Sequence, residues 1–174
     1  ERFCEAMDMD GFIDWVLLEG YCANVDIKSN LRYFRTGDGP WQIAFYDLDW
    51  AFQTRSNCFF NLIGSEQTAQ IAPTVRWLFG IDDFRERLLT RYAELTETTL
   101  SDEHVTEKID EFRALLAPEI ARERVRWGGS EEGWNEQVDA LRANIADDYA
   151  AHTVRNLCSI LGMGDEERME YFGF

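Results

Sequence analysis

The sequence predicts a mainly α fold, a helical bundle with one small β-hairpin that carries a candidate metal site. Three observations lead there. Apolar residues recur at helical spacing over most of the chain, as in Phe84, Leu88, Tyr92 and Leu95. Capping residues and glycines punctuate those stretches where helices start and stop. Strand-favouring residues flank a glycine-rich turn at one place, between Leu31 and Tyr46.

Taken in order, residues 1–9 read as the end of a helix. Gly11 to Asn24 reads as a second, with Phe12, Trp15, Val16, Leu18 and Tyr21 on a broad apolar face. In the hairpin, Leu31–Arg35 and Trp41–Tyr46 are the strands and Thr36–Pro40 the turn. With Asp38-Gly39 as a two-residue loop, Arg32 faces Phe45, Leu31 faces Tyr46, and Asn30 comes opposite Asp47. A three-residue turn would shift that register by one. Trp41, Ile43 and Phe45 share a face expected to pack in the core. Residues 50–72 read as irregular, either a substrate-facing loop or a connector.

The remainder reads as helices. Pro73 sits near the first turn of a short one ending at Phe79. Asp82-Asp83 opens the next, and Ser101-Asp102-Glu103 the one after, which Pro118 should kink or break before it stops at Gly128-Gly129. Ser130-Glu131-Glu132 starts a long helix to Leu161, ended by Gly162 and Gly164, with a short helix closing the chain.

The totals bound the function. The chain has 174 residues and a net charge of −16. That charge argues against nucleic acid or an anionic membrane as the main partner. Lys28 and Lys108 are the only lysines. Cys4, Cys22, Cys58 and Cys158 lack zinc spacing and read as buried thiols. No apolar run is long enough to span a membrane. No G-x-S-x-G elbow occurs, and His104 and His152 read as structural. Arg32 and Arg35 are expected to pair with the surplus carboxylates.

The chemistry concentrates at the hairpin ends. Asp26-Ile27-Lys28-Ser29-Asn30 precedes the first strand, and Asp47-Leu48-Asp49 follows the second. Two residues apart in an extended chain, Asp47 and Asp49 point to one side. Asp26, Asn30, Asp47 and Asp49 would gather hard oxygen donors suited to Mg²⁺ and a phosphorylated substrate. Asp and Asn also serve as turn formers and helix caps, so the same residues have a structural reading.

Asp26-x-x-x-Asn30, an aromatic strand, a turn, Trp41, then Tyr46-Asp47-Leu48-Asp49 with Phe52 resemble the spore-coat CotH kinase family. Arg76–Phe79, Phe84-Arg85, Arg91-Tyr92, Glu119–Trp127 and Trp134–Arg142 follow that family's helical half. The family is similar to protein kinases in abbreviated, atypical form. The resemblance implies a kinase-like C-terminal lobe over residues 1–174 as a single domain. The nucleotide-gripping N-terminal lobe would precede residue 1 in a longer parent, and this piece alone would transfer nothing.

By that resemblance Asp26 is the catalytic base, and Asn30, Asp47 and Asp49 are metal ligands. Lys28, Trp41 and Arg55 are weaker phosphate or nucleotide contacts. The implied cofactors are Mg²⁺ or Mn²⁺, with ATP as phosphoryl donor. The implied partner is a protein substrate, such as a coat or surface protein, in the bacterial cytoplasm, spore coat or cell surface. Departures from the kinase pattern are plain. Asn30 follows Asp26 by four residues where kinases have five, no H-R-D triplet is present, and Asp-Leu-Asp replaces Asp-Phe-Gly. Two other readings stay open: a non-catalytic coat-assembly module, and a carboxylate-metal phosphoester hydrolase.

Overall fold

The computed structural model describes residues 2–27, 30–53, 55, 58–64 and 70–174. The described residues form α1 (Arg2–Ala6), α2 (Met9–Tyr21), β1 (Tyr33–Phe34), β2 (Gln42–Ile43), α3 (Cys58–Gly64), α4 (Ala72–Phe79), α5 (Asp82–Glu97), α6 (Asp102–Trp127), α7 (Glu131–Ala146), α8 (Tyr149–Leu161) and α9 (Asp165–Phe172). The mainly helical expectation, with one small antiparallel hairpin, holds. The chain divides into two compact units, Glu1–Ala93 with Thr153–Phe174, and Glu94–His152.

In the first unit α2 is the central helix. Asp8 caps its start by accepting from the Gly11 amide at 3.1 Å. Phe12, Ile13, Trp15, Val16, Leu17 and Tyr21 are buried along it, so the helix is apolar on more than one side. α3 packs against α2 and α4 against α3. Gly20 makes the first of these contacts possible. A methyl there would fall 2.5 Å from Cδ1 of the buried Phe59 and closer still to Cε1 and Cζ. α3 also corrects the expectation of an irregular stretch, since Phe59 and Leu62 are fully buried on a short helix.

Ion pairs join α2 to α5. Arg91 grips Asp14 through Nε at 2.7 Å and Nη2 at 3.1 Å, and Arg87 meets Asp10 at 2.6 Å. These groups are part-exposed or exposed, so each pair adds under about 1 kcal/mol. Deeper in, the Tyr92 hydroxyl and Thr153 Oγ1 share a buried 2.6 Å hydrogen bond that ties α5 to α8.

The hairpin departs from its expected register. Tyr33 pairs with Ile43 and Phe34 with Gln42, one residue off the Asp38-Gly39 alignment. The turn is Thr36-Gly37-Asp38-Gly39, closed by the Gly39 amide on the Thr36 carbonyl at 3.1 Å. Gly37, at φ +59, takes the left-handed position, for which it has no steric penalty. Beyond Ile43 the Ala44 amide still bonds the Arg32 carbonyl, and strand pairing ends there. Trp41 leaves this ladder and bridges Met7 in parallel. Its amide donates to the Ala6 carbonyl and its carbonyl accepts from the Asp8 amide, both at 2.8 Å. The face of Trp41, Ile43 and Phe45 is not core: Trp41 is 42 % exposed and Phe45 37 %.

In the second unit α6 and α7 pack as an antiparallel pair. Arg113 reaches Asp139 and Asn135, while Arg142 reaches Asp110. Ser101 and Ser130 cap the two helices through the amides of His104 and Gly133. Of the kink or break expected at Pro118, the break does not occur, and α6 runs as one helix through it. Proline leaves the Ala114 carbonyl without its helical donor, and both residues face water, which supplies one. The expected long helix from Ser130 to Leu161 is instead two helices. Asp148, at φ +55, breaks it, and Asp102 accepts from the Ala150 amide at the new start.

Among the described residues no helix is long and apolar enough to cross a membrane. Cys4, Cys22 and Cys158 are free thiols, and burial pushes the Cys158 thiol up to about 11.

Candidate functional site

The site begins where α2 ends. After Tyr21 the chain turns through Ala23, left-handed at φ +47, into Asn24 and Asp26. Asn24 is fully buried. Its Oδ1 accepts from the Asp26 amide at 3.1 Å, an Asx-type turn that holds the loop open for the next residues. Its Nδ2 donates to Oε2 of Glu19 at 2.9 Å. Glu19 is 2 % exposed, and burial raises its pKa to about 7, with the Asn24 amide partly offsetting that rise.

Asp26 itself is half-buried, and Asn30 is buried. The two are joined directly: Asn30 Nδ2 donates to the Asp26 carbonyl at 2.9 Å, and the Asn30 amide to the Ile27 carbonyl at 3.1 Å. Lys28, the weaker phosphate contact, lies outside the described residues.

The second carboxylate segment arrives at the same helix end. Asp47 is left-handed at φ +62, Leu48 to Ala51 closes a turn through the Ala51 amide, and Phe52 is left-handed at φ +58. The Phe52 amide then donates to the Cys22 carbonyl at 2.7 Å, and its ring meets Tyr21 edge-on at 6.1 Å. One carbonyl at the end of α2 thus anchors the segment carrying Asp47 and Asp49, just ahead of Asp26.

Two expectations about this segment are corrected. Asp47 does not stand opposite Asn30 in a ladder, because the register is shifted and pairing ends before it. Nor is Asp47-Leu48-Asp49 extended, since the positive φ and the following turn replace strand alternation. Asp47 and Asp49 are both exposed. Among the described residues no three His, Cys, Asp or Glu side chains come together closely enough to hold a metal ion by themselves.

The remaining candidates are also placed. Trp41 borders an apolar cleft of 340 Å³ with Phe3, Ala6, Met7 and Tyr33. Arg35 lies over the Trp41 ring at 5.3 Å, and Arg32 over Tyr46 at 5.8 Å. Arg55 is half-buried after the Phe52 anchor.

Sequence reasoning missed Glu19 and Asn24. The signal was present, since an acid stands on the apolar α2 face one turn after Trp15.

A search of curated proteins and a search of solved structures returned no match. A family model described as CotH kinase protein matches residues 1–150. That match covers most of the chain, so this protein belongs to the CotH kinase protein family.

Proposed function

We propose that this chain is the C-terminal lobe of an atypical, CotH-type kinase whose parent transfers the γ-phosphoryl of ATP to a protein hydroxyl. The observation that carries the reading is the shared anchor. The Phe52 amide on the Cys22 carbonyl draws the Asp47–Asp49 segment to the helix end from which Asp26 and Asn30 also project. The parts that grip the nucleotide would be supplied by a preceding segment of the parent, as the family resemblance implies.

In this reading Asp26 receives the acceptor hydroxyl's proton, and the Asn30 bond to its carbonyl holds the loop that presents it. Asn30, Asp47 and Asp49 are the oxygen donors for Mg²⁺ or Mn²⁺. An all-oxygen set of few protein ligands fits Mg²⁺, which keeps waters and takes phosphate oxygens to complete six positions. That fit accommodates exposed aspartates that do not form a closed cage. When bound, the ion would neutralise charge on the transferring phosphate.

The test uses the full-length parent with a protein-hydroxyl acceptor. Asp26→Asn should lower transfer by about 10²–10⁴-fold while nucleotide affinity stays within about threefold. Turnover close to wild type would reject the base role. Asp47→Ala should raise the Mg²⁺ concentration needed for half-maximal nucleotide binding, and an unchanged Mg²⁺ dependence would reject it as a ligand. A second reading, a non-catalytic assembly module, rests on the net charge of −16, which offers an acidic surface to partners. Calorimetry with no metal-dependent ATP binding by the parent would select that one.

A further inference from the structure

We propose that Glu19 and Asn24 form a positioning pair that holds the amide of Asp26 and, with Asn30 on its carbonyl, aims its carboxylate; the proposal rests on the kinase reading of Asp26. The side chain of Asn24 has two different ends, and the structure uses both. Oδ1 takes the Asp26 amide and Nδ2 gives to Glu19. Rotated end for end, the amide would present a donor to a donor at Asp26, and the turn would open. Glu19, whose carboxyl oxygen accepts on the Nδ2 side, disfavours that rotation.

Burial makes the arrangement more than incidental. Glu19 is 2 % exposed and Asn24 0 %. A carboxyl group in that setting is unfavourable unless hydrogen-bonded, and a leucine would suit an apolar helix face better. The Asx turn by itself needs only an exposed Asn or Asp. What Glu19 adds is control over which end of Asn24 faces the loop. On the other side of the Asp26 Cα, Asn30 Nδ2 holds the Asp26 carbonyl. The amide and the carbonyl of Asp26 are therefore both fixed by asparagine side chains. The left-handed Ala23 lies between the helix and this lock, so the loop has no helical continuation to hold it.

The experiment is done on the full-length parent with variants of the pair. Glu19→Leu removes the acceptor, Glu19→Gln keeps one, and Glu19→Gln with Asn24→Asp swaps the amide and carboxylate while keeping the bond. Two readouts are taken: hydrogen exchange at the Asp26 amide, and kcat and nucleotide KM for transfer. Glu19→Leu should speed Asp26 exchange by about tenfold or more and lower kcat by about 10–100-fold, with KM within about threefold. Glu19→Gln and the swapped pair should stay within about threefold of wild type on both readouts, whereas Asn24→Ala, which removes the acceptor of the Asp26 amide, should behave like Glu19→Leu. Unchanged exchange and kcat in Glu19→Leu would overturn the proposal. If Glu19→Leu does not fold, Glu19→Met, which matches glutamate in length, decides: Asp26 exchange about tenfold faster than in Glu19→Gln supports the lock, and equal exchange overturns it. A wild-type parent that never transfers phosphate rejects the kinase reading instead. The exchange rates alone then decide whether the pair holds Asp26.

Discussion

Replacing Gly20 by alanine adds one methyl where α2 meets Phe59 of α3. The new carbon would lie 2.5 Å from Phe59 Cδ1, with Cε1 and Cζ nearer. Carbon atoms settle about 3.5–4.0 Å apart, so relief needs a displacement of about 1 Å or more. Phe59 has little room to give, being fully buried and set edge-on against Tyr92 at 5.9 Å. Overpacking of this kind costs about 3 kcal/mol. Alanine returns up to about 1 kcal/mol of helix propensity, less so in the last turn where Gly20 sits. The net loss is about 2 kcal/mol, or about 4–8 °C in Tm for a chain of this size. Urea unfolding followed by circular dichroism measures it. Phe59→Leu should partly rescue Gly20→Ala, with a coupling of about 1 kcal/mol in the double-mutant cycle. A Gly20→Ala protein as stable as wild type, or strictly additive with Phe59→Leu, would refute the steric argument.

Glu19 gives a pH prediction. Its native pKa of about 7 lies above the 4.5 of an exposed glutamate, so between those values the folded state keeps a proton the unfolded state has released. Stability from this group is full below the lower value, falls as pH rises through the window, and levels off above about 7, by about 3 kcal/mol at most. Subtracting the Glu19→Gln unfolding curve isolates the effect, and a flat difference would refute it. Tyr92→Phe removes one partner of the buried bond to Thr153 and should cost about 1–2 kcal/mol in denaturant unfolding. Ser101→Ala should cost about 1 kcal/mol by the same measurement, through loss of the His104 amide's acceptor at the start of α6.

Much of the fold was legible because local chemistry marks it. Pro73 at the start of α4, Ser101 and Ser130 at helix caps, and the glycines after Trp127 and Leu161 each act on their own few residues. What was missed depends on distant partners or on compensation. α3 was hidden because Asn61 and Gly64 dilute its pattern, while Phe59 finds its place only against Gly20 on another helix. The break at Asp148 was hidden because Ile145 and Tyr149 keep helical spacing across it, both fully buried. The hairpin register turned on which glycine took the positive φ, and Gly37 did so in place of the Asp38-Gly39 pair. At the site, the hydrogen bond from the Asn30 side chain to the Asp26 carbonyl was not foreseen, because spacing alone does not say which backbone acceptor a side chain will find. The local conformation of Asp47 was not readable, because a left-handed residue followed by a turn overrides strand alternation.

The bridge between Met7 and Trp41 has a consequence for how the protein keeps apart from its neighbours. The hairpin exposes Tyr33, Phe34, Trp41 and Phe45, a composition prone to recruiting foreign strands. With the Trp41 amide and carbonyl both occupied by Ala6 and Asp8, an incoming chain finds no hydrogen-bonding template at that position. The short stretch joining the first two helices therefore serves as a guard against sticking. Unravelling it would uncover a sheet border, and self-association would be the first symptom, ahead of any loss of helix.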